Sequence, residues 1–496
     1  MVSTAPKSTE KLPDAEGTVR LTVAQATIRF LANQYVERDG NRSKFFAGCF
    51  GIFGHGNVAG LGQALLQDEI EAVESGREPG LKYVLGRNEQ AMVHSPAAYA
   101  RQKDRLQTWA VTASVGPGST NMLTGAALAT INRLPVLLLP ADTFATRVSS
   151  PVLQELELPS SGDVTVNDAF KPLSRYFDRV WRPEQLPAAL LGAMRVLTDP
   201  VETGAATVSI PQDVQAEAHD WPESLFAERT WHMARPLPER SVTTRRPPRS
   251  SPSAHKPLII AGGGVHYSGA EEALAALASD TGIPVAESQA GKGSLRYDHP
   301  QSVGAIGSTG TTAANALASE ADVVIGIGTR YSDFTSASRT AFNNPDVRFV
   351  NINVASLDAV KQGGVSVVAD AREAVDALRT ALNGYSVSAE YLSRVTQLAA
   401  EWEDTVSAAY AAEDGVPLNQ NQVIGLVNTL SDPRDVVVCA AGSMPGDLHK
   451  MWRTRDRKGY HVEYGYSCMG YEIAGGIGVR MAVGRSSRRR RNPEDC

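Results

Sequence analysis

Apolar positions along the chain switch repeatedly between two periods. Over residues 18–216, helix-like spacing alternates with short continuous apolar runs. Val23, Ala26, Ile28, Phe30, Leu31, Gln34 and Tyr35 recur mostly at three- and four-residue intervals, which predicts a helix over residues 22–38. The runs FFAGCF, KYVLG, TWAVTAS and LPVLLLPA read as strands, with Gly, Pro, Ser or Asp turn residues after them. Strands separated by helices predict a parallel, doubly wound sheet covered on both faces.

The pattern breaks over residues 218–256. Here ARPLPERSVTTRRPPRSSPSAHK is rich in Pro, Arg and Ser and reads as an exposed linker. A second α/β tract, residues 257–383, holds the strand-like KPLIIAGGGV, ADVVIGIGTR and VRFVNINV, with a helix over residues 271–279. A third and shorter tract, residues 389–482, offers a helix to Ala412, another over residues 421–430, and the strand DVVVCAAG. The expected fold is therefore α/β, with three doubly wound parallel-sheet domains, the third incomplete. Residues 483–496 form a basic tail of different character.

Composition narrows the functions available. The formal charge of −6 hides an imbalance, because the last 14 residues hold Arg485 and Arg488 to Arg491 against Glu494 and Asp495. The body is thus more acidic than the whole, which argues against a nucleic-acid-binding surface. Cys49, Cys439, Cys468 and Cys496 show no C-x-x-C spacing, as suits a reducing compartment. The polar N-terminus lacks the apolar stretch of an export signal, and the longest apolar run, residues 134–141, contains two prolines and is too short to span a bilayer. A cytoplasmic protein with no membrane or nucleic-acid partner is expected. No H-E-x-x-H or other metal-ligand cluster and no G-x-S-x-G elbow occurs, so zinc and serine hydrolases are disfavoured and no metal ligands are assigned.

Three glycine-rich turns follow strands. Gly54-His55-Gly56-Asn57-Val58-Ala59 fits a loose G-x-G-x-x-A dinucleotide pattern, which recurs by chance in α/β proteins. AGGGVHYSG carries Tyr267 where a third glycine would be needed, so a tight structural turn is preferred. In VTASVGPGSTN, Gly116-Pro117-Gly118 makes a rigid turn, and Ser119 and Thr120 are placed to cap the next helix. Glu89, in YVLGRNEQAMVHSPAAYAR, stands between a strand and an Ala-rich helix. It reads either as a partly buried acid or as a solvated helix-start glutamate favoured by the dipole.

In order along the chain, these segments resemble one family. GRNEQAMVHSPAAYAR with TASVGPGSTNMLTGAALATINRLPVLLLPAD, closed by SIPQDVQ, resembles the pyrimidine-binding domain of thiamine-diphosphate enzymes of the acetolactate synthase type. The stretch from KPLIIAGGGV to VVIGIGTRYSD resembles their central domain. VVVCAAGSMPGDLHKMW through YGYSCMGYEIAGGIGVRMA resembles the opening half of their diphosphate-binding domain. Within the family, VERDGNRSKFFAG and FGHGNVAGLGQAL are similar to the trihydroxycyclohexanedione hydrolases of inositol catabolism.

The resemblance implies thiamine diphosphate with Mg²⁺, and ring-opening C–C hydrolysis of a polyhydroxylated cyclic dione to 5-deoxy-glucuronate. An acetolactate-synthase-like carboligase and a catalytically inactive fragment are the alternatives. Glu89 matches the glutamate that hydrogen-bonds the cofactor's aminopyrimidine, although Asn88 stands where many relatives have histidine. His55 is the candidate for proton transfer to substrate, against a plain loop histidine. Gly442, Ser443 and Met444 match the diphosphate-side segment. Met469 matches the region beneath the folded cofactor, against a plain core methionine. A cofactor lying between two subunits implies a homodimer or homotetramer.

One part of the match fails. The family holds Mg²⁺ and diphosphate with G-D-G followed by N-N, oxygen ligands suited to a hard cation. No G-D-G occurs here: Gly446-Asp447 is followed by Leu448, and Asn343-Asn344 falls in the central tract. A C-terminally truncated chain is expected, from a frameshifted or prematurely ended reading of a longer gene, with impaired activity.

Overall fold

A computed structural model describes residues 17–146, 152–156, 158–239, 254–412 and 416–484. The described residues divide into two compact units, 17–233 with 477–484, and 234–476. The basic tail and most of the Pro/Arg/Ser stretch lie outside the described residues.

In the first unit the strands are, in chain order, β1 (Thr18–Thr22), β2 (Gln34–Arg38), β3 (Asn41–Lys44), β4 (Phe46–Gly51), β5 (Tyr83–Leu85), β6 (Thr108–Ala113), β7 (Val136–Asp142), β8 (Tyr176–Arg179), β9 (Ala205–Pro211), β10 (Ala218–Pro222) and β11 (Arg229–His232). Six of them make an all-parallel sheet in the order β5-β4-β6-β7-β9-β8. Every residue of β6, β7 and β9 is buried, as expected of parallel strands covered on both faces.

The helix expected over residues 22–38 is shorter than its spacing suggested. It runs over Val23–Ala32, started by a capping box between Thr22 and Gln25. The chain turns at Asn33, and Gln34–Arg38 becomes β2, antiparallel to β3 and parallel to β11. Gln34 helps end the helix, its Nε2 donating to the Phe30 carbonyl at 2.8 Å. Val36 and Phe30 are both buried, so an apolar spacing that fits one long helix also fits a helix followed by an alternating strand.

The expected linker is also corrected. Residues 218–222 form β10, antiparallel to β1, and residues 229–232 form β11 beside β2. Trp221 anchors this return, fully buried, with its indole N–H on the Leu21 carbonyl at 2.9 Å. Burying so large a ring contributes on the order of 2–3 kcal/mol, which the Pro-rich composition downstream masks.

The second unit holds β12 (Pro257–Ala261), β13 (Val285–Glu287), β14 (Ser302–Ala305), β15 (Val323–Ile327), β16 (Arg348–Asn353), β17 (Val365–Val368), β18 (Val437–Cys439) and β19 (Tyr460–Val462). Six strands form a second parallel sheet, β14-β13-β12-β15-β16-β17, and β18 pairs with β19 in a separate parallel ribbon. The AGGGV turn is a structural one. A Cβ on Gly264 would lie 2.6 Å from the Gly328 Cα, so glycine lets the turns after β12 and β15 touch backbone to backbone.

Candidate functional site

The order of the first sheet places its own crevice. From β4 the chain moves outward to β5 and then returns to β6 on the opposite side of β4. The connections leaving β4 and β6 therefore part at this point, and ligands of open α/β sheets bind outside the carboxyl ends of strands at such a switch. Three of the segments singled out from sequence leave those ends: the His55 loop after β4, Glu89 after β5, and the Gly116 turn after β6.

The His55 loop is held from several sides. Asn57, fully buried, accepts from the Gly54 amide at 3.0 Å and donates to the Ile52 carbonyl at 3.1 Å and to Thr112 Oγ1 at 3.3 Å. Gln215 donates to the carbonyls of Gly56 and Ile210 at 3.0 and 2.9 Å and accepts from the Leu61 amide at 3.2 Å. Gly56 sits at φ +93°, and a Cβ there would lie 2.6 Å from Val115 Cγ1. The glycines of the dinucleotide-like pattern are thus accounted for by packing within the sheet end. His55 itself is half-buried, and its carbonyl accepts from the Val115 amide at 3.0 Å, which ties the loop to the Gly116 turn.

The Gly116 turn differs from the capping expected of it. Ser119 donates to the Ser114 carbonyl at 3.0 Å and Thr120 to the Gly116 carbonyl at 2.7 Å. Neither hydroxyl caps the Leu123–Ile131 helix. Both close the turn on itself instead.

Glu89 is the first residue of the Glu89–Gln102 helix, with Asn88 as N-cap accepting from the Ala91 amide at 3.0 Å. That helix is seated closely against Leu123–Ile131, because a Cβ on Gly125 would come within 2.5 Å of Val93 Cβ. Glu89 is half-buried. Its Oε2 accepts from Asn121 Nδ2 at 3.0 Å, while no described residue hydrogen-bonds Oε1. Gly118 lies beneath: a Cβ there would be 3.5 Å from Oε1 and 2.5 Å from Ser114 Oγ. One carboxylate oxygen is oriented and the other is left open over a glycine floor, an arrangement that fits a planar ring offering an N–H donor.

Beside this crevice, at the ends of β7, β8 and β9, lies a buried polar network the sequence did not reveal. Arg179 Nε pairs with Asp142 Oδ2 at 2.6 Å and its Nη2 with Asp168 Oδ2 at 2.9 Å. Ser209 Oγ also donates to Asp142 at 2.6 Å, and Asn167 Nδ2 to Ser209 at 2.9 Å. Burial alone would lift the Asp168 carboxyl, but hydrogen bonds from Arg179 and Lys171 hold it down at about 2.

The remaining candidates belong to the second unit, at the carboxyl ends of β18 and β19. Gly442, at φ +99°, and Ser443 are exposed, and Ser443 precedes the Met444–Met451 helix without a side-chain cap. Met444 is 41% exposed and Met469 83% exposed, which removes the core-methionine reading of Met469. Glu463, buried, shapes the second loop by accepting from the amides of Tyr466 at 2.8 Å and Cys468 at 3.0 Å. Glu472 fixes the first by accepting from the Ala440 amide at 3.1 Å. Among the described residues no group of three or more His, Cys, Asp or Glu side chains is placed to hold a metal ion. In the first turn of the Met444–Met451 helix Pro445 has no N–H, and the Gly446 and Asp447 amides donate to the Ser443 carbonyl at 3.0 and 3.3 Å.

Residues 53–161 match the thiamine pyrophosphate enzyme N-terminal TPP binding domain, and residues 252–378 match the central domain of the same enzymes. The chain is 48% identical over 488 residues to the 3D-(3,5/4)-trihydroxycyclohexane-1,2-dione hydrolase of Geobacillus thermodenitrificans, a match covering 94% of this chain and 74% of that protein. It is 46% identical over 489 residues to the proteins of the same name from Bacillus thuringiensis and Bacillus cereus, with the same shares covered. The chain belongs to the thiamine pyrophosphate enzymes, in the family of these trihydroxycyclohexanedione hydrolases.

Proposed function

We propose that the protein opens the ring of trihydroxycyclohexane-1,2-dione by hydrolysing a C–C bond next to a carbonyl, giving 5-deoxy-glucuronate in inositol catabolism. The observation that carries this reading is Glu89, fixed by Asn121 at the sheet's switch point with Oε1 open. Thiamine diphosphate supplies a carbon nucleophile and an electron sink when bound. Glu89 would hold the aminopyrimidine ring through Oε1, as the matching glutamate does across the family. His55, on a loop clamped by Asn57 and Gln215, would pass a proton to the substrate. Overall, water adds across the broken C–C bond: its oxygen ends in the new carboxylate and a proton ends on the released carbon.

In the second unit, Gly442, Ser443 and Met444 would line the diphosphate side, with Met469 against the folded cofactor. Mg²⁺ would accompany the diphosphate. A homodimer or homotetramer would bring pyrimidine-side and diphosphate-side surfaces of different subunits together. The protein would act in the cytoplasm; among the described residues no helix is long and apolar enough to cross a membrane.

A second reading is a catalytically impaired protein, because no G-D-G motif occurs in residues 1–496. Calorimetric titration with thiamine diphosphate and Mg²⁺ separates the two. On the impaired reading binding is weak at most, whereas micromolar, Mg²⁺-dependent binding would contradict that reading and support the first. The reaction itself is tested by supplying cyclic dione or pyruvate at saturating cofactor. Ring-opened acid from the dione is expected, while acetolactate from pyruvate alone would replace the hydrolase reading with carboligation.

A further inference from the structure

The first unit buries a carboxyl group that the proposed chemistry does not use. Glu155 lies in the segment 152–156, and this segment rests on the Gly116 turn: a Cβ on Gly116 would overlap the Gln154 carbonyl oxygen. Gln154 occupies the left-handed region at φ +68°, unusual for a non-glycine residue, so the seat is held at some conformational cost. Both Glu155 carboxyl oxygens are shut off from solvent, and neither makes a well-formed hydrogen bond.

The charges around it explain why this position is sensitive. Asp142, fully buried at the end of β7, repels an ionised Glu155. Arg179 of β8 attracts it, but that guanidinium is already shared between Asp142 and Asp168. Lys171 is engaged with Asp168 at 2.6 Å. The amides of Val166 and Leu156 also favour the charge, but burial and Asp142 outweigh them. Among the described residues, three carboxyls thus gather around one guanidinium and one ammonium, and Glu155 is the one left without an ion pair. Burial, reinforced by Asp142, pushes its carboxyl up to about 7.

We propose that Glu155 is a positioning residue: protonated, it seats residues 152–156 on the Gly116 turn beside Glu89, and ionised, it releases them. A carboxyl that titrates near 7 in place and near 4.5 when released binds its proton more tightly in place. The seated state is therefore fully stable below about pH 4.5, weakens as pH rises toward 7, and levels off above it. The proposal concerns how a segment is held and stands independently of the hydrolase reading.

Hydrogen exchange read by mass spectrometry tests it on the full chain and on Glu155→Gln, from about pH 5 to about pH 8, corrected for intrinsic rates and referred to the β7 amides. In the wild type, protection of residues 152–156 and of the Gly116 turn should fall by up to about tenfold per pH unit until pH 7. Glu155→Gln should show no such slope, and Glu155→Ala gives the same non-titrating comparison if the glutamine variant does not fold. A flat wild-type profile, or an equal slope in a folded non-titrating variant, overturns the proposal.

Discussion

At the scale of single residues, Glu89 depends on neighbours that its local sequence does not announce. Asn88 starts its helix, Asn121 holds Oε2 from 32 positions away, and Gly118 keeps the space under Oε1 clear. Local composition left Glu89 divided between a buried acid and a solvated helix start. The family resemblance singled it out, and the structure adds its orientation. Glu89→Gln keeps the shape but changes the hydrogen bonding, so steady-state turnover should fall by about 10²–10⁴-fold with the melting temperature nearly unchanged. Gly118→Ala should instead act through sterics, because its Cβ would press on Ser114 Oγ at 2.5 Å. A loss of roughly 1–3 kcal/mol in urea unfolding is expected, with reduced turnover. Gln215 and Asn57 were out of reach of the sequence reading. Gln215 lies 159 positions from the Gly56 carbonyl it holds, and nothing in SIPQDVQ marks that contact.

Among the elements, strands such as β7 and β12 were legible as the uninterrupted apolar runs LPVLLLPA and KPLIIA, whereas the polar β8 and the short β13, β14 and β17 were not read. The helix over residues 22–38 was misjudged at its end, where Gln34–Arg38 satisfies both a helical and an alternating pattern and pairing with β3 and β11 decides the matter. The ends of β7, β8 and β9 were opaque for another reason. Asp142 reads as a turn residue after LPVLLLPA, yet it makes a buried network with Asp168 and Arg179, two residues the sequence did not single out. Asp168 in that network has its pKa lowered to about 2 from an ordinary 3.8, so its stabilisation is present above pH 3.8 and lost as pH falls through 2. Acid unfolding followed by circular dichroism should show Asp168→Asn less stable than wild type by roughly 2 kcal/mol at pH 6, with the gap closing below about pH 2. Gln215→Ala removes two hydrogen bonds at the His55 loop and one to the Ile210 carbonyl of β9. It should cost about 1–3 kcal/mol and raise hydrogen exchange over residues 54–62 more than in β6.

For the molecule as a whole, the order of segments was the most readable feature and the boundaries the least. The linker was drawn from composition, and composition does not register that Trp221 and β11 return to the first unit. The candidate site is likewise divided by chain position, with Glu89 and His55 in one unit and Gly442, Ser443, Met444 and Met469 in the other. Each set sits at the carboxyl ends of parallel strands within its own unit. The central claim is water-dependent ring opening that relies on Glu89. It is tested most directly by incubating the cyclic dione with saturating thiamine diphosphate and Mg²⁺ in ¹⁸O-water and analysing products by mass spectrometry. The account predicts an open-chain acid carrying one labelled oxygen in its carboxylate, formed by the wild type and lost in Glu89→Gln. Labelled acid formed equally by Glu89→Gln, or unlabelled carboligation product in its place, would contradict it.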